Sequence, residues 1–113
     1  LISAVLSLAI KAENIVDNSI AFSSIALSST VKSSVISNGC LIEGAVENSV
    51  IGRGCTIKKG AVIKNCVVLA DCTIGENVHI ENLVVDKHAK ITHAKEIIRP
   101  ADEPGYIKRN DTL

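Results

Sequence analysis

The sequence predicts an all-β fold, a single-stranded parallel β-helix of about six coils. Two observations predict it: a short phrase that repeats at a nearly fixed spacing, and an apolar fraction almost without aromatic residues. Hydrophobic residues make up 47% of the 113-residue chain, which has one Phe and one Tyr. Aromatic side chains usually contribute heavily to globular cores. A core of Ile, Val, Ala and Cys indicates a narrow interior of uniform cross-section.

An apolar phrase recurs along the chain at a nearly constant step, and the first two steps are shorter than the later ones by two positions. It reads VDNSI, VKSSV, VENSV, IKNCV and IENLV, beginning at Val16, Val31, Val46, Ile63 and Ile80. Within the longer coils the aliphatic residues are spaced by five, six and six positions, a hexapeptide pattern with one residue removed per coil. Each unit holds one strand and one corner, and three units close a triangular coil. Stacking of coils then buries the apolar positions.

Two sets of residues are predicted to point inward, an aliphatic one and a small one four positions later. The aliphatic set is Ile51, Ile57, Ile63, Val68, Ile74, Ile80, Val85 and Ile91. The small set is Cys55, Ala61, Val67, Cys72, Val78, Val84 and Ala89, and the column of Cys55 extends back to Cys40, Ile25 and Ile10.

Corner positions carry residues that tolerate positive φ, as a tight turn often requires. Three columns contain them: Asn18, Ser33, Asn48, Asn65 and Asn82; Ser24, Gly39, Gly54, Asp71 and His88; and Gly60, Asn77 and Ala94.

These patterns divide the chain into a β-helix over residues 1–97, irregular over 1–15 and regular over 16–97, and a C-terminal cap or tail over 98–113. Lys95 occupies a small inward position, and Pro100, Pro104 and Gly105 are expected to break any strand. Because the chain begins at Leu1 and contains no Met, we expect it to be a fragment of a longer protein.

The charge balance excludes two classes of partner. Lys+Arg and Asp+Glu both number 12, so no basic excess favours nucleic acid or an anionic membrane. Four cysteines without metal-site spacing indicate reduced thiols and a cytoplasmic protein. Cys40, Cys55 and Cys72 are expected to be buried packing residues, with Cys66 at a corner.

No catalytic, cofactor-binding or metal site is predicted. The register places His79 outward and His88 and His93 at or near corners, so no repeat relation brings them together on a metal. Two groups of basic residues could meet a phosphorylated effector, although a solvated charged surface is the favoured explanation for each of them. They are Arg53, Lys58 and Lys59, and Arg99, Lys108 and Arg109.

The stretch from Ser37 to Ile91 resembles the C-terminal β-helix of glucose-1-phosphate adenylyltransferases, also called ADP-glucose pyrophosphorylases. The phrases Asn38-Gly39-Cys40, Ile42-Glu43-Gly44 and Val46-Glu47-Asn48-Ser49-Val50-Ile51 are most similar to the bacterial glycogen-biosynthesis accessory, regulatory subunits of that family. The hexapeptide period also resembles that of the left-handed β-helix class, and this resemblance is the reason for assigning a left hand.

The resemblance implies that the N-terminal nucleotidyltransferase domain is absent from this fragment, so no catalytic residue is carried over. ATP and Mg²⁺ would belong to that domain, which converts ATP and glucose 1-phosphate to ADP-glucose and pyrophosphate. The present part would then serve subunit association in a homo- or heterotetramer, contact with its own catalytic domain, and allosteric regulation. The alternative is a hexapeptide-repeat acyl- or acetyltransferase, which typically needs a catalytic His and a protruding loop, and no coil shows such an insertion.

The first two or three coils are expected to form the main association surface. Residues 1–36 carry only four charged residues, Lys11, Glu13, Asp17 and Lys32, whereas the later coils carry far more. A surface so poor in charge is expected to be covered. Ala21→Glu or Ser23→Lys should therefore disrupt assembly.

Overall fold

The structure is a computed structural model that describes residues 29–113 in full, together with the backbone of Ile15–Asp17, Ile20–Ala21 and Ser24–Ile25. Every regular element in this described part is a strand, and no helix there could cross a membrane. The strands are β1 Ile15–Asp17, β2 Ile20–Ala21, β3 Ser24–Ile25, β4 Thr30–Lys32, β5 Val35–Ile36, β6 Leu41–Ile42, β7 Ala45–Glu47, β8 Val50–Ile51, β9 Thr56–Ile57, β10 Val62–Lys64, β11 Val67–Val68, β12 Thr73–Ile74, β13 His79–Glu81, β14 Leu83–Val85, β15 Lys90–Ile91, β16 Glu96–Ile98 and β17 Gly105–Ile107.

Three parallel sheets make up the solenoid. The first sheet has the order β1-β4-β7-β10-β13-β16, the second β17-β14-β11-β8-β5-β2, and the third β15-β12-β9-β6-β3. Each strand pairs with the strand three places along the chain, so the chain visits the three sheets in turn and completes one coil each time. Residues 30–42, 45–57, 62–74 and 79–91 are complete coils with all three sides. The predicted parallel β-helix is confirmed.

The predicted aliphatic core is confirmed at all eight positions, since each of those side chains is fully buried. Equivalent residues lie directly above one another, as the pairing of Val46 with Ile63 and of Ile63 with Ile80 shows. Five of the seven small positions are buried as well: Cys55, Ala61, Cys72, Val78 and Ala89.

The other two small positions, Val67 and Val84, were assigned wrongly. Val67 is 38% exposed and Val84 is half-buried, whereas their predecessors Cys66 and Leu83 are each 2% exposed. The step from the inward aliphatic residue of the first sheet to that of the second is five positions in the longer coils, against six at the other two steps. The small inward residue therefore follows the aliphatic one by three positions there. Alternation along the strand then points Val67 and Val84 outward.

The corners adopt the predicted left-handed backbone. The positive-φ residues are Ser33, Asn48, Asn65 and Asn82 in the first column, Gly39, Gly54, Asp71 and His88 in the second, and Gly60 and Asn77 in the third. Asn110 continues the second column into the last coil with a φ of 62°. Ala94 is not among these residues, and Asn18 lies outside the described residues.

Each of the two short coils has two residues fewer than the longer coils, and the missing residues fall at a different corner in each. Between β6 and β7 only Glu43 and Gly44 remain, and between β2 and β3 two residues remain as well. Strand β3 therefore pairs with β6 at the spacing of the longer coils, which aligns Ser24 with Leu41 and Ile25 with Ile42. The assignment of Ser24 to the Gly39 column and of Ile25 to the Cys40 column was wrong; Ile10 lies outside the described residues.

Gly44 occupies the short corner because no larger residue fits there. A Cβ at this position would lie 2.4 Å from the carbonyl oxygen of Ala61, in the wider corner of the next coil. The Glu43–Gly44 corner therefore packs directly on the backbone of the coil that follows, which keeps coils of unequal length in register.

The C-terminal segment continues the stack. Strand β17 begins at Gly105 and pairs with β14, and Thr112 forms a parallel bridge with Lys90, so the expectation that this segment contains no strand was wrong. Both prolines lie in a loop over residues 99–104, which makes the step from Leu83 to its partner Gly105 longer than that of any other coil. This loop is also an insertion that the sequence analysis did not expect in any coil. The exposed Lys95 side chain turns away from the core and donates to the Glu76 carbonyl at 3.2 Å.

Replacing a core Ile tests the packing directly. Ile74→Ala should lower the free energy of unfolding by about 2–5 kcal/mol, because it leaves a cavity in a fully buried column. Urea denaturation followed by circular dichroism measures the change. Thr73→Ala, on the outward side of the same strand, is the control and should cost less than about 1 kcal/mol. Equal losses in the two variants would contradict the inward register.

Candidate functional site

The outer surface of the first sheet carries a column of alternating charges. Lys32, Glu47, Lys64 and Glu81 are successive partners in the parallel register. The Lys64 Nζ lies 4.0 Å from Oε2 of Glu47, with side chains 43% and 53% exposed. Such an exposed pair contributes at most about 1 kcal/mol. The charges compensate one another along the column, so this surface attracts neither cations nor anions strongly.

His79 lies outward on the same sheet, where the register predicted it. Its Nε2 is 2.6 Å from Oε2 of Glu81, although the N–H does not point along a hydrogen bond to that oxygen. A carboxylate beside an imidazole can orient the ring, as acid–base catalysis requires. The register neighbours of His79 are Val62 and Glu96, and neither carries a hydroxyl or thiol that the imidazole could activate.

The other two histidines lie elsewhere on the solenoid. His88 is at a corner, with Nδ1 3.9 Å from Oδ2 of Asp71. His93 is exposed, with Nδ1 3.2 Å from Oγ1 of Thr92. The structure does not bring the three rings together, and within the described residues no group of three or more metal-ligating side chains forms.

Cys40, Cys55 and Cys72 stack in the interior, where the sequence placed them. Each is at most 4% exposed, and each thiol donates to a carbonyl of the following coil. Hydrogen bonds with the neighbouring thiols of Cys40 and Cys72, together with burial, raise the pKa of the Cys55 thiol. The accepting carbonyls are those of Gly52 at 3.1 Å, Leu69 at 3.0 Å and Asp86 at 2.9 Å.

Cys66 belongs to a second buried column that the sequence analysis missed. It follows Ser34 and Ser49 and precedes Leu83 at equivalent corner positions, and all four are buried. The Ser49 hydroxyl donates to the Glu47 carbonyl at 2.8 Å and accepts from the Cys66 amide at 3.1 Å. Burial raises the pKa of the Cys66 thiol. The serines two positions before Ile36 and Ile51 were the sequence signal for this inward column.

The basic residues singled out from the sequence do not converge. Arg53 lies in the corner before β9, and Lys58 and Lys59 lie in the corner after it. In the last coil, Arg99 is 3.8 Å from Glu103, while Lys108 and Arg109 follow β17. All six are exposed, so the structure forms no common anion pocket from them.

All four thiols should resist modification in the folded chain. The raised pKa values of Cys55 and Cys66 suppress formation of the reactive thiolate at neutral pH. The hydrogen bond with Cys55 lowers the pKa of the Cys72 thiol, so burial alone protects Cys72 from the reagent. Reaction with a thiol-specific chromogenic disulfide should label none of the four rapidly, and addition of denaturant should release all four. Rapid labelling of Cys55 or Cys66 in the native chain would contradict the inward placement of its column.

Comparison with known proteins agrees with this geometry. The profile of the family described as "GlmU-like, C-terminal hexapeptide" matches residues 18–103. A curated relative, "Glycogen biosynthesis protein GlgD" of Bacillus subtilis (strain 168), is 38% identical over 81 residues. That alignment covers 72% of this chain but 24% of the relative, so the chain spans about a quarter of the relative's length. No solved structure matches the chain significantly.

The family match covers the described coils almost completely and ends within the loop that precedes β17. From residue 29 onward it overlaps the region in which the inward columns and positive-φ corners repeat. The chain therefore belongs to the GlmU-like C-terminal hexapeptide family.

Proposed function

We propose that this chain is the non-catalytic C-terminal domain of a glycogen-biosynthesis protein related to glucose-1-phosphate adenylyltransferases, in which it serves subunit association and allosteric regulation. The observation that carries the proposal is the 38% identity to a glycogen biosynthesis protein across 72% of the chain. The alignment of 81 residues is longer than four coils, so the similarity is not confined to one hexapeptide unit.

The distribution of reactive groups supports a scaffold role. The thiols fill the interior, the charges of the first sheet compensate one another, and the histidines occupy one strand and two separate corner regions. A solenoid with regular outer faces offers extended surfaces for other domains. ATP and Mg²⁺ would bind to the adenylyltransferase part of the longer protein.

The partners in this proposal are the chain's own N-terminal catalytic domain and the other subunits of a homo- or heterotetramer in the cytoplasm. Free thiols suit such a reducing compartment. The first two or three coils remain a predicted association region. Ser23 and the side chain of Ala21 lie outside the described residues, so Ser23→Lys remains a prediction to test by light scattering.

A reconstitution experiment tests the proposal. The 113-residue chain is expressed with a bacterial glucose-1-phosphate adenylyltransferase catalytic subunit, captured by affinity, and assayed for ADP-glucose formation. The two should copurify, the chain alone should make no ADP-glucose, and its addition should change the subunit's response to effectors. Ile80→Asp, which places a charge in a fully buried position and prevents folding, is the matched control.

The result that would contradict this proposal is acyltransferase activity. If the chain captures no adenylyltransferase but turns over acetyl-coenzyme A, and this activity is lost in His79→Ala while His93→Ala retains it, the chain is an acyltransferase. Comparison of these two variants is informative because His79 contacts Glu81, whereas His93 is exposed next to Thr92.

A further inference from the structure

The segment that follows the loop of residues 99–104 lies against the second and third sides of the preceding coil. It comprises strand β17 and the bridge at Thr112, and we name residues 105–113 the strap. Backbone amides of the preceding coil and of the corner after it donate to strap carbonyls. The bonds run from Asp86 to Ile107 at 3.0 Å, from Lys90 to Asp111 at 2.7 Å, and from Thr92 and His93 to Leu113 at 2.8 Å each.

The inward side chains of the strap are less enclosed than those beneath them. Ile107 and Leu113 continue the columns of Val85 and Ile91. Both strap residues are half-buried, whereas Val85 and Ile91 are fully buried. A solenoid coil is stabilised by its interfaces with the coils on either side. Within the described residues the strap has such an interface on one side, so it is bound less firmly than the coils in the middle of the stack.

The loop of residues 99–104 connects the strap to the solenoid and is exposed along its whole length. The Glu103 amide donates to the Pro100 carbonyl at 3.0 Å, and Arg99 lies 3.8 Å from Glu103. These contacts lie within the loop itself and do not bind it to the core. Strand β16 pairs with β13 ahead of the loop, so the strap can leave while β16 stays paired.

A side-chain contact joins the strap to the preceding coil. The Tyr106 hydroxyl donates to Oδ2 of Asp86, and the Lys87 amide donates to Oδ1 of the same carboxylate at 2.7 Å. Donation by the tyrosine lowers the pKa of Asp86 and raises the pKa of Tyr106. At neutral pH the carboxylate is therefore ionised and the phenol protonated, which are the forms that make this hydrogen bond.

The strap thus has its own connection, a partly open interface and a specific side-chain contact. Segments with few buried contacts open locally, at a lower free energy than the core. We propose that residues 105–113 leave the solenoid as one unit while the preceding coils stay folded, and that the contact between Tyr106 and Asp86 is the latch. Opening exposes the strand edges of β14 and β15, so the latch controls access to them. This inference does not depend on the function proposed above.

Hydrogen–deuterium exchange of the 113-residue chain, followed by NMR at neutral pH, tests the strap. The four amides that donate to strap carbonyls should exchange with one common opening constant. Three amides make the equivalent bonds one coil earlier and should exchange more slowly by about tenfold or more, because the coil that accepts their bonds stays in place. These three are the amides of Leu69, Thr73 and Gly75, which donate to Val85, Ala89 and Ile91.

Two variants separate the latch from the rest of the interface. Tyr106→Phe removes the hydroxyl alone and should speed exchange of all four strap-bonded amides by the same factor, about threefold to fivefold, without changing the three earlier amides. Thr56→Val, which removes an outward hydroxyl from β9, is the matched control and should change neither set. Ile107→Ala weakens the apolar contact and should speed exchange of the four amides about tenfold.

Three results would overturn the proposal. The first is that the four strap-bonded amides exchange with unrelated constants, which would mean that the strap does not open as a unit. The second is that they are protected as strongly as the three earlier amides. The third is that Tyr106→Phe alters both sets equally or alters neither, which would mean that Tyr106 is not the latch.

Discussion

Every strand in this solenoid takes its backbone hydrogen bonds from the coils on either side, so each residue must stand directly over its equivalent in the next coil. The amide of Val50 donates to the Cys66 carbonyl at 3.0 Å, and that of Thr56 donates to the Cys72 carbonyl at 2.9 Å. A single coil can satisfy neither these bonds nor its apolar face. The register between coils is therefore the condition on which the core, the corners and the outer faces all depend.

This register explains why the residues stacked in any one column resemble one another. Inside the solenoid, the space at each position is fixed by the coils above and below, so one column contains Ile or Val and another contains Cys or Ala. At the corners it fixes a positive φ, so Asn48, Asn65 and Asn82 succeed one another, and the Asn48 side chain donates to that of Asn65 at 2.7 Å. Outside, space does not restrict the residue type, so alternating charges on one sheet and valines on another reflect requirements other than packing.

The same condition decides what the sequence could predict. The strict period of the longer coils placed residues such as Ile57 and Ile74 inside, because a shift of one position would expose a whole column. Periodicity does not tell which corner has lost residues, which is why Val67 and Ser24 were misplaced. It is equally insensitive to insertions, because a corner can extend into solvent without disturbing the strands. Pro100 and Pro104 therefore lie in a loop, and β17 resumes the register after them.

The candidate site was less predictable because a solenoid separates residues that are close in sequence. His79, His88 and His93 fall within one coil length, yet they occupy a strand and two corner regions. Residues that do meet are one coil apart, so a functional surface here must be a column rather than a local motif. The thiol column is enclosed by the core, and the charged column is neutralised by its own alternation. On the second sheet, by contrast, Val35, Val50 and Val67 leave apolar surface exposed to water, and burial of such surface is favourable.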